Sequence, residues 1–471
     1  MQKLTKIVAT IGPATEDEAV LTQLIEAGMN VARFNTKHSD PAWHNERIRR
    51  VKKVAQKLGQ PVGVLFDLQG PEVRINLIGI DKFSVAKDQT VIFTSEELED
   101  NSRAIMIPQE VVKSMSVNDQ ILLDDGSCEF VVVEKNSTQL VAQALHECTV
   151  KHRKTMNTPG VVLNMPSLTD RDIEYLDGVD PTLIDFVGLS FVRDSHDIQI
   201  LRGELDKRNI HAGVVAKIEN QKALDNLDEL IAASDAVMVA RGDLGVEVPF
   251  QELTYWQKTI IRKSRIAGKP VITATQMLKS MVTDPRPTRA EVSDVANAIY
   301  DGTDAVMLSE ETTIGKYPVR AVAAQASIAE FNEPYCHLPE IETAKTDAEE
   351  SIAPALMNLL TNSKLNISQI VCLTRTGKTA RLISRFRPKV PILAITKDEA
   401  VLKRLALSYG VTPCLLNINY EESLNPNVLM NKLEDNGTVK AGETIVLAYS
   451  NEAQYPRQTN TISLITIPKA K

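Results

Sequence analysis

Short apolar runs recur along the chain, and most are followed by a segment with helical periodicity, such as Ala223–Ala233 and Leu253–Ala267. Outside residues 71–159 there are eight runs rich in β-forming residues: Lys6–Thr10, Met29–Phe34, Val62–Phe66, Phe186–Phe191, Val214–Ile218, Ala236–Ala240, Val271–Thr275 and Ala305–Leu308. Short apolar runs joined by helices are typical of parallel strands that are buried on both faces. Eight such units match the number that a closed (β/α)8 barrel, the TIM barrel, requires. We therefore predict an α/β fold built on a closed barrel, with an open doubly wound sheet as the alternative.

The regular series is interrupted between Pro71 and Pro159. Here the runs alternate between apolar and polar residues and are separated by turn sequences: Gln89–Phe93, Gln120–Leu123, Phe130–Val133 and Gln139–Ala144. This pattern predicts an inserted antiparallel β-barrel domain between the third and fourth barrel strands. We expect barrel residues 1–70, the insertion at 71–157 and further barrel residues at 158–335. An insertion at the carboxyl end of a barrel strand is well placed to act as a lid.

A second α/β unit follows a proline-containing linker that begins near Glu333. Its predicted strands alternate with helices: Ile370–Thr374, Pro391–Thr396, Pro413–Asn417 and Thr444–Tyr449. We expect this C-terminal α/β domain to cover residues 345–471.

Composition narrows the functional class. The net charge of −8 argues against a nucleic-acid or anionic membrane partner, and aromatic residues make up only 4% of the 471 residues. A membrane-spanning helix needs about 18 consecutive apolar residues, and no apolar run in the sequence comes near that length. The five cysteines show no CxxC spacing and suit a reducing cytoplasm, so we expect a cytoplasmic protein with neither disulfides nor zinc.

Charged and polar side chains stand where several predicted barrel strands end. They are Arg33 and Asn35 on the second strand, Asp67 on the third with Glu72 and Arg74 beyond, Lys217 and Glu219 on the fifth, Asp243 on the sixth and Thr275 on the seventh. Carboxylates grouped at a barrel mouth suit a hard cation such as Mg²⁺. Arginine and lysine there suit phosphate or carboxylate, and a buried lysine can stabilise a transferring phosphoryl group. Solvated loop charges are the alternative for any one of these residues.

The segment RGDLG after the sixth strand adds a backbone feature. Gly242 and Gly245 allow the chain to approach a ligand closely, and N–H groups at a strand-to-helix turn can hold an anion. A tight turn that needs glycine only for its conformation is the alternative.

Several longer blocks resemble the motifs of pyruvate kinase. They are TKIVATIGPAT, AKIEN, MVARGDLGVEVP, GKPVITATQML, DPRPTRAEVSDVANAIYDGTDAVMLSEET and TGKTARLISRFRP. The resemblance covers nearly the whole chain and its domain order. It implies phosphoryl transfer from phosphoenolpyruvate to ADP, giving pyruvate and ATP, with Mg²⁺ as cofactor and a homotetramer as the assembly.

By position, the resemblance also implies residue roles. The implied catalytic residues are Lys217, Thr275 and Arg33. Phosphoenolpyruvate would be bound by Arg33, Lys217, Gly242, Asp243 and Thr275, and the nucleotide by Arg74, Lys154, Asn35 and His38. The implied Mg²⁺ ligands are Glu219 and Asp243, and the monovalent-cation site would include Asn35, Asp67 and Leu68.

The monovalent-cation site departs from the family pattern. The serine that ligates K⁺ in the family is Lys37 here, and the threonine ligand is Leu68. One hypothesis is that the Lys37 ammonium replaces K⁺, since one fixed positive charge can substitute for another at similar range. The alternative is that Lys37 points to solvent and the site is weakened, so the requirement for K⁺ stays open.

A second anion site is implied in the C-terminal domain. The loop LTRTGKT matches the phosphate loop of the family's sugar-phosphate effector site, and its residues are Thr374, Arg375, Thr376, Gly377, Lys378 and Thr379. The family's later glycine-rich effector loop is replaced here by Ser450–Thr461, which leaves the identity of a phosphorylated effector open. A purely structural loop is the alternative.

Three functions are compatible with these residues. The first is pyruvate kinase activity. The second is another Mg²⁺ enzyme on a barrel, such as a lyase acting on a 2-oxo acid. The third is a weakly catalytic sensor. The changes at Lys37, at Leu68 and at Gln69, where the family has lysine, favour it. The retention of Lys217, Glu219, Asp243 and Thr275 disfavours it.

Overall fold

Eight parallel strands close into a barrel, as the sequence predicts, and the first strand pairs with the eighth. The computed structural model describes residues 3–97, 104–341, 348–417, 426–435, 437–450 and 459–468. The barrel strands are Lys6–Thr10, Val31–Asn35, Gly63–Asp67, Phe186–Leu189, Gly213–Ile218, Ala236–Ala240, Val271–Ala274 and Ala305–Leu308. Because these strands close into a barrel, the alternative of an open doubly wound sheet is wrong.

Alternation along each strand divides the apolar residues between two cores. Val8, Val31, Leu65, Val215 and Met238 belong to the cluster inside the barrel. Their sequence neighbours belong to the larger cluster between the strands and the surrounding helices: Ile7, Ala32, Val64, Phe66, Val214, Ala216, Val237 and Val239. Successive side chains of a strand point to opposite faces, and here both faces are covered. The strands therefore appear in the sequence as almost continuously apolar runs.

Helices surround the barrel. They are Glu18–Glu26, Pro41–Leu58, Asp170–Gly178, Ser195–Lys207, Gln221–Asp225, Leu227–Ala233, Arg241–Glu247, Leu253–Ile266, Arg289–Asp301, Glu310–Thr313 and Pro318–Asn332, with 3₁₀ turns at Phe250–Glu252, Lys279–Val282 and Glu333–Tyr335. The helix expected over Ala223–Ala233 is in fact two, because Asn226 leaves the helical conformation and its amide donates to the Arg193 carbonyl at 2.9 Å. None of the helices that the structure describes combines the length and apolar character that a bilayer crossing needs.

The insertion forms a seven-stranded sheet and a two-stranded sheet that share one hydrophobic cluster. Its strands are Asn76–Leu77, Lys82–Val85, Thr90–Thr94, Ala104–Met106, Gln120–Leu123, Cys128–Lys135, Gln139–Ala144, Cys148–Lys151 and Met156–Asn157, and its helix is Gln109–Ser114. Pairing is antiparallel, as predicted, except that Thr90–Thr94 and Ala104–Met106 run parallel.

The C-terminal domain contains a five-stranded sheet. Its strands are Ile367–Leu373, Ile392–Thr396, Val411–Leu415, Thr444–Tyr449 and Thr461–Thr466, and its helices are Ala348–Asn362, Lys378–Ser384, Glu399–Arg404 and Pro426–Asp435, with a 3₁₀ turn at Leu405–Leu407. The last strand was not expected from the sequence; it pairs antiparallel with Thr444–Tyr449 at the sheet edge. The domain limits at 70, 157, 335 and 345 stay predictions.

A buried ion pair joins the C-terminal domain to the amino end of the barrel. Asp304, just before the eighth strand, accepts from the Arg387 guanidinium at 2.7 Å and from the Tyr409 backbone N–H at 3.0 Å. Within the barrel, the Asp304 carboxylate also accepts from the Val271 N–H at 3.1 Å. The Arg387 and Asp304 side chains are 6% and 5% exposed. The domain therefore closes the barrel end opposite the strand termini that carry the predicted site.

Replacing Arg387 should weaken this junction. Because Arg387→Met leaves the Asp304 carboxylate buried without its cation, we expect a loss of about 3–5 kcal/mol in the free energy of unfolding, measured by urea denaturation. Lys389→Met, an exposed lysine two residues away, is the matched control and should change stability by less than about 0.5 kcal/mol. Equal effects of the two substitutions would contradict a special role for the buried pair.

Candidate active site

Four of the predicted site residues form one buried charge cluster at the carboxyl ends of the barrel strands. Asp67 accepts from Arg33 Nε at 2.7 Å, and its other oxygen lies 3.4 Å from Lys217 Nζ. Lys217 Nζ also lies 2.9 Å from Glu219 Oε1. The exposed fractions are 1% for both carboxylates and 8% for both cations. The structure therefore brings together two cations and two carboxylates whose charges alternate.

Burial disfavours the charged form of each of these groups. Whether the group stays charged depends on how strongly the neighbouring charges shift its pKa back. Burial raises the pKa of Asp67, but Lys217 and Arg33 outweigh it and hold that pKa below its usual value. Burial lowers the pKa of Lys217, but Asp67 and Glu219 outweigh it and leave that pKa above its usual value. Lys217 is therefore a fixed cation at the centre of the site.

Glu219 differs from Asp67 because the effect of burial on its pKa is larger than the opposing effect of Lys217. Its Oε2 accepts from the Phe191 backbone N–H at 2.6 Å, yet burial raises the pKa of Glu219 to about 7. Lys217 opposes this rise, and the negative charge of Asp243 adds to it. Glu219 and Asp243 are therefore near enough for their charges to repel, which a cation between them would relieve.

The two carboxylates fit the ligand set that Mg²⁺ prefers. Asp243 lies in the first turn of helix Arg241–Glu247 and is partly exposed. Mg²⁺ is usually bound by one or two carboxylates together with substrate oxygens and water. Across the described ranges, no group of three or more His, Cys, Asp or Glu side chains could hold a metal by itself. A cation here would therefore take its remaining ligands from substrate or water.

Thr275 and Gly242 face each other across the ends of the sixth and seventh strands. Thr275 has a left-handed backbone with φ 69°, a strained conformation for a β-branched residue. Its hydroxyl accepts from the Gly242 N–H at 2.8 Å and donates to the Ala274 carbonyl at 2.7 Å. The Gly242 N–H that the sequence assigns to an anion is thus bonded to Thr275, so a bound carboxylate would have to displace or share that bond.

Two residues that contact the candidate site received no role from the sequence. Ser190 accepts from Lys217 Nζ at 2.6 Å and donates to the Leu68 carbonyl at 2.7 Å. Arg241 donates to the carbonyls of Ala274 and Thr275 and pairs with Asp294 at 2.7 Å. Arg241 comes directly after the sixth strand, and this position is the signal that could have assigned it a role. The position of Ser190, directly after the fourth strand, was an equivalent signal.

The predicted monovalent-cation site provides few free oxygens. Asn35 Oδ1 accepts from the Lys37 backbone N–H at 3.1 Å, and both Asp67 oxygens face cations. Leu68 is buried, and its carbonyl already accepts from Ser190. These residues do not fit a K⁺ site of the kind implied by the family pattern.

Lys37 does not point freely into solvent. Its Nζ lies 2.8 Å from Glu72 Oε1, and the two side chains are 28% and 5% exposed. Arg74 pairs with the other Glu72 oxygen at 2.9 Å. Burial raises the pKa of Glu72, but Lys37 and then Arg74 outweigh it and keep that pKa below its usual value. An ammonium group is therefore held beside the loop that follows the third strand.

The predicted nucleotide residues are not all gathered in one place. Lys154 lies on the insertion and pairs with Asp124 at 2.8 Å, while Arg74 donates to the Arg153 carbonyl at 2.9 Å. His38 donates its backbone N–H to the Asn35 carbonyl at 3.4 Å. Within the described residues, no ion pair joins Lys154 to the cluster around Lys217.

An open cleft separates the insertion from the barrel. It encloses about 1010 Å³ of empty space and is lined by Glu72, Asn157, Asp243 and Glu247 among others. The Asn157 amide, at the return of the insertion, donates to Glu247 at 3.0 Å. The cleft therefore reaches from the insertion to the helix that carries Asp243.

The predicted effector loop is a turn that leads into helix Lys378–Ser384. Thr374 Oγ1 accepts from the Gly377 N–H at 3.0 Å, and Gly377 has φ 78°. Thr379 Oγ1 lies 2.6 Å from Thr459 Oγ1. Most of the later segment Ser450–Thr461 lies outside the described residues. The assignment of Thr374–Thr379 to an effector stays a prediction.

Family models, curated relatives and a solved structure that match this chain are all described as pyruvate kinases. A family model described as pyruvate kinase, barrel domain, matches residues 2–322, and one described as pyruvate kinase, alpha/beta domain, matches residues 350–465. A pyruvate kinase of Bacillus licheniformis is 41% identical over 94% of this chain and 77% of the relative. One from Clostridium acetobutylicum is 38% identical over 98% and 99%. A crystal structure of a pyruvate kinase from Cryptosporidium parvum has a TM-score of 0.90 and 32% identity, covering 99% of this chain and 97% of that one.

Gly70 provides a test of the packing behind the site. A Cβ at Gly70, where φ is 67°, would lie 2.9 Å from Ser190 Cβ, whereas a Cβ at Gly79, where φ is 73°, would meet nothing within 4 Å. Both Gly→Ala changes carry the left-handed cost of about 1–2 kcal/mol. We expect Gly70→Ala to lower the free energy of unfolding by a further amount of about 1–3 kcal/mol through the clash. Equal losses in urea denaturation would show that Ser190 does not pack tightly against this loop.

Proposed function

The chain belongs to the pyruvate kinase family, and we propose that it transfers the phosphoryl group of phosphoenolpyruvate to ADP with Mg²⁺ as cofactor. The observation that carries this proposal is the buried Lys217 ammonium, held between Asp67 and Glu219. A fixed cation in a site with little water stabilises negative charge that develops during phosphoryl transfer.

In the proposed reaction, an oxygen of the ADP β-phosphate attacks the phosphorus of phosphoenolpyruvate. The bond from phosphorus to the enol oxygen breaks, and the enolate of pyruvate then accepts a proton at its methylene carbon. Lys217 would neutralise the phosphoryl and enolate oxygens, and Arg33 would contact the phosphate. Because Asp67 fixes Arg33 and lies beside Lys217, both cations are oriented before substrate arrives.

The remaining site residues would position the substrate and guide the proton. The Gly242 and Asp243 N–H groups and the Thr275 hydroxyl would hold the carboxylate, and Thr275 would lie near the proton path to the enolate. Mg²⁺, when bound by Glu219 and Asp243, supplies positive charge to substrate oxygens. Support for the role of Thr275 comes from its strained backbone, which is fixed by Arg241 through the Thr275 carbonyl.

The nucleotide, the assembly and the location are part of the same proposal. Arg74, Lys154, Asn35 and His38 would contact ADP or ATP. Exposed apolar side chains support a homotetramer: Phe250, Tyr255, Ile314, Phe331 and Tyr335 are 86%, 63%, 62%, 68% and 58% exposed. The unpaired cysteines are in keeping with a cytoplasmic enzyme. A phosphorylated effector would bind at Thr374–Thr379.

Lys217→Met tests the central claim. Because the substitution removes the cation that faces the developing charge, we expect kcat to fall about 100- to 1,000-fold with KM for phosphoenolpyruvate little changed. Pyruvate formation is followed in an assay coupled to its reduction, and EDTA should abolish it until Mg²⁺ is restored. Lys207→Met, at a 69% exposed lysine, is the control. Binding of phosphoenolpyruvate by the wild type without turnover would favour the sensor, and pyruvate formation independent of ADP would favour a lyase.

We further propose that the enzyme works without K⁺ because Lys37 supplies the monovalent charge. Lys37 stands at the family's K⁺-ligand serine, and its ammonium is held by the buried Glu72 carboxylate. Leu68, at the second altered position, offers no side-chain oxygen, and Asn35 Oδ1 is engaged by the Lys37 backbone. A tethered ammonium removes the need to capture an ion from solution.

Lys37→Ser should convert the enzyme into a K⁺-activated one. We expect wild-type kcat/KM to change less than about twofold on adding K⁺. In Lys37→Ser without K⁺ it should fall by about tenfold, which corresponds to about 1.4 kcal/mol, and added K⁺ should restore it. Lys37→Arg, which keeps the charge, is the matched control. Strong K⁺ activation of the wild type would overturn the replacement while leaving phosphoryl transfer intact.

A further inference from the structure

The segment 36–39, which we call the Lys37 loop, has all four of its backbone carbonyls bonded to side chains of two neighbouring helices. The bonds run from Arg171 to the Thr36 and Lys37 carbonyls at 3.3 and 3.4 Å, from His44 Nε2 to the His38 carbonyl at 3.0 Å, and from the Tyr175 hydroxyl to the Ser39 carbonyl at 2.5 Å. The backbone of Ser39 is left-handed, with φ 66°, which is unfavourable for a residue other than glycine. The loop therefore depends on contacts from outside itself for its conformation.

Tyr175 reaches the loop from a buried position. The residue is 3% exposed, and its ring centroid lies 5.8 Å from that of His44 and 6.3 Å from that of Phe66. Arg171 donates to the Tyr175 hydroxyl oxygen at 3.0 Å. Because that oxygen already accepts from Arg171, its own proton is directed to the Ser39 carbonyl. The hydroxyl is therefore oriented towards the Lys37 loop by a contact on its other side.

His44 holds the adjacent carbonyl of the same loop. It is 1% exposed, and burial lowers the pKa of His44 to about 4, so its ring is neutral near pH 7. Since the His38 carbonyl can only accept, Nε2 must carry the single ring proton. Two successive carbonyls are thus held by donors from two different helices, Pro41–Leu58 and Asp170–Gly178.

The helix that carries Tyr175 also holds the loop that follows the third barrel strand. Asp172, which is 1% exposed, accepts from two successive backbone N–H groups of that loop at 3.0 and 3.3 Å. Asp172 and Tyr175 are three residues apart and lie on the same face of helix Asp170–Gly178. This face therefore contacts both of the loops between which the Lys37–Glu72 ion pair forms.

We propose that Tyr175 is a positioning residue for phosphoryl transfer, and that its hydroxyl, acting through the Ser39 carbonyl, keeps the Lys37 ammonium against Glu72. The inference rests on the function proposed above for Lys37 as the monovalent charge of the site. The Lys37 side chain is 28% exposed and flexible, so the time that its ammonium spends at Glu72 depends on how firmly its backbone is held. Core packing alone would need only the ring of Tyr175.

Reductive methylation of the full-length protein tests the positioning without turnover. Formaldehyde and cyanoborohydride modify lysine amines, and the rate at Lys37 is measured by peptide mass spectrometry relative to Lys207, which is 69% exposed. Because Tyr175→Phe keeps the ring and removes the hydroxyl, we expect Lys37 to react at least about threefold faster, through more frequent local opening of the loop. Tyr300→Phe, which loses a surface hydrogen bond of 2.5 Å, is the matched control and should leave the rate unchanged. An unchanged rate at Lys37 in Tyr175→Phe would overturn the proposal.

A double-mutant cycle then connects the loop to activity. In buffer without K⁺, we expect Tyr175→Phe to lower kcat/KM for phosphoenolpyruvate about three- to tenfold, and Tyr300→Phe to leave it unchanged. Added to Lys37→Ser, Tyr175→Phe should change kcat/KM by less than about twofold, because the charge that it positions is already absent.

Two results of the cycle would overturn the proposal. They are an unchanged kcat/KM in Tyr175→Phe, and equal losses in the wild-type and Lys37→Ser backgrounds, which would mean that Tyr175 acts by another route. A wild type that transfers no phosphoryl group to ADP would instead overturn the proposed function. The labelling rates separate the two failures, because they report on the Lys37 loop whether or not the protein turns over substrate.

Discussion

The buried carboxylate of Asp67 is the interaction on which the site depends. It contacts Arg33 on one oxygen and lies beside Lys217 on the other, and it is 1% exposed. Without that charge, two cations at the barrel mouth would face each other out of contact with water, and Lys217 would lose much of the stabilisation that keeps it protonated. Asp67 can do this because it ends the third strand in register with Asn35 and Gly188. A Cβ at Gly188 would lie 2.6 Å from the Asp67 oxygen, so the neighbouring strand leaves space for the carboxylate.

Buried charge is arranged differently at the two ends of the barrel. At the carboxyl end, cations and carboxylates alternate, and an excess of negative charge at Glu219 and Asp243 suits a divalent cation. At the amino end, Arg387 of the C-terminal domain pairs with Asp304 of the barrel, and Arg265 is buried beside them without a carboxylate partner among the described residues. The apolar core of the barrel lies between these two groups of buried charges.

Most of the fold could be predicted because its signals are local. Apolar runs of five or so residues, repeated eight times, leave few alternatives to a closed barrel, and the residues at their ends came together because parallel strands share one edge. The break at Asn226 and the parallel strand pair in the insertion could not be predicted, since each depends on a contact between distant segments. Ser190 escaped notice for the same reason: its role follows from the position of Lys217 on the next strand. In the sequence, Arg265 is one more charged residue near the end of a helix. Its burial could not be predicted because it depends on how the C-terminal domain packs against that helix.

Helix Arg241–Glu247 connects the parts that must act together. Arg241 at its start donates to the Thr275 carbonyl, the Gly242 N–H donates to the Thr275 hydroxyl, and the charge of Asp243 raises the pKa of Glu219. At its end, Glu247 accepts from Asn157 where the insertion returns to the barrel. A helix of seven residues is about two turns long, so a displacement of the insertion reaches Asp243 through only one turn of rigid backbone. A movement of the insertion would therefore be coupled to the carboxylates proposed to bind Mg²⁺ through a single short element, which the Arg241–Asp294 ion pair at 2.7 Å anchors to the barrel.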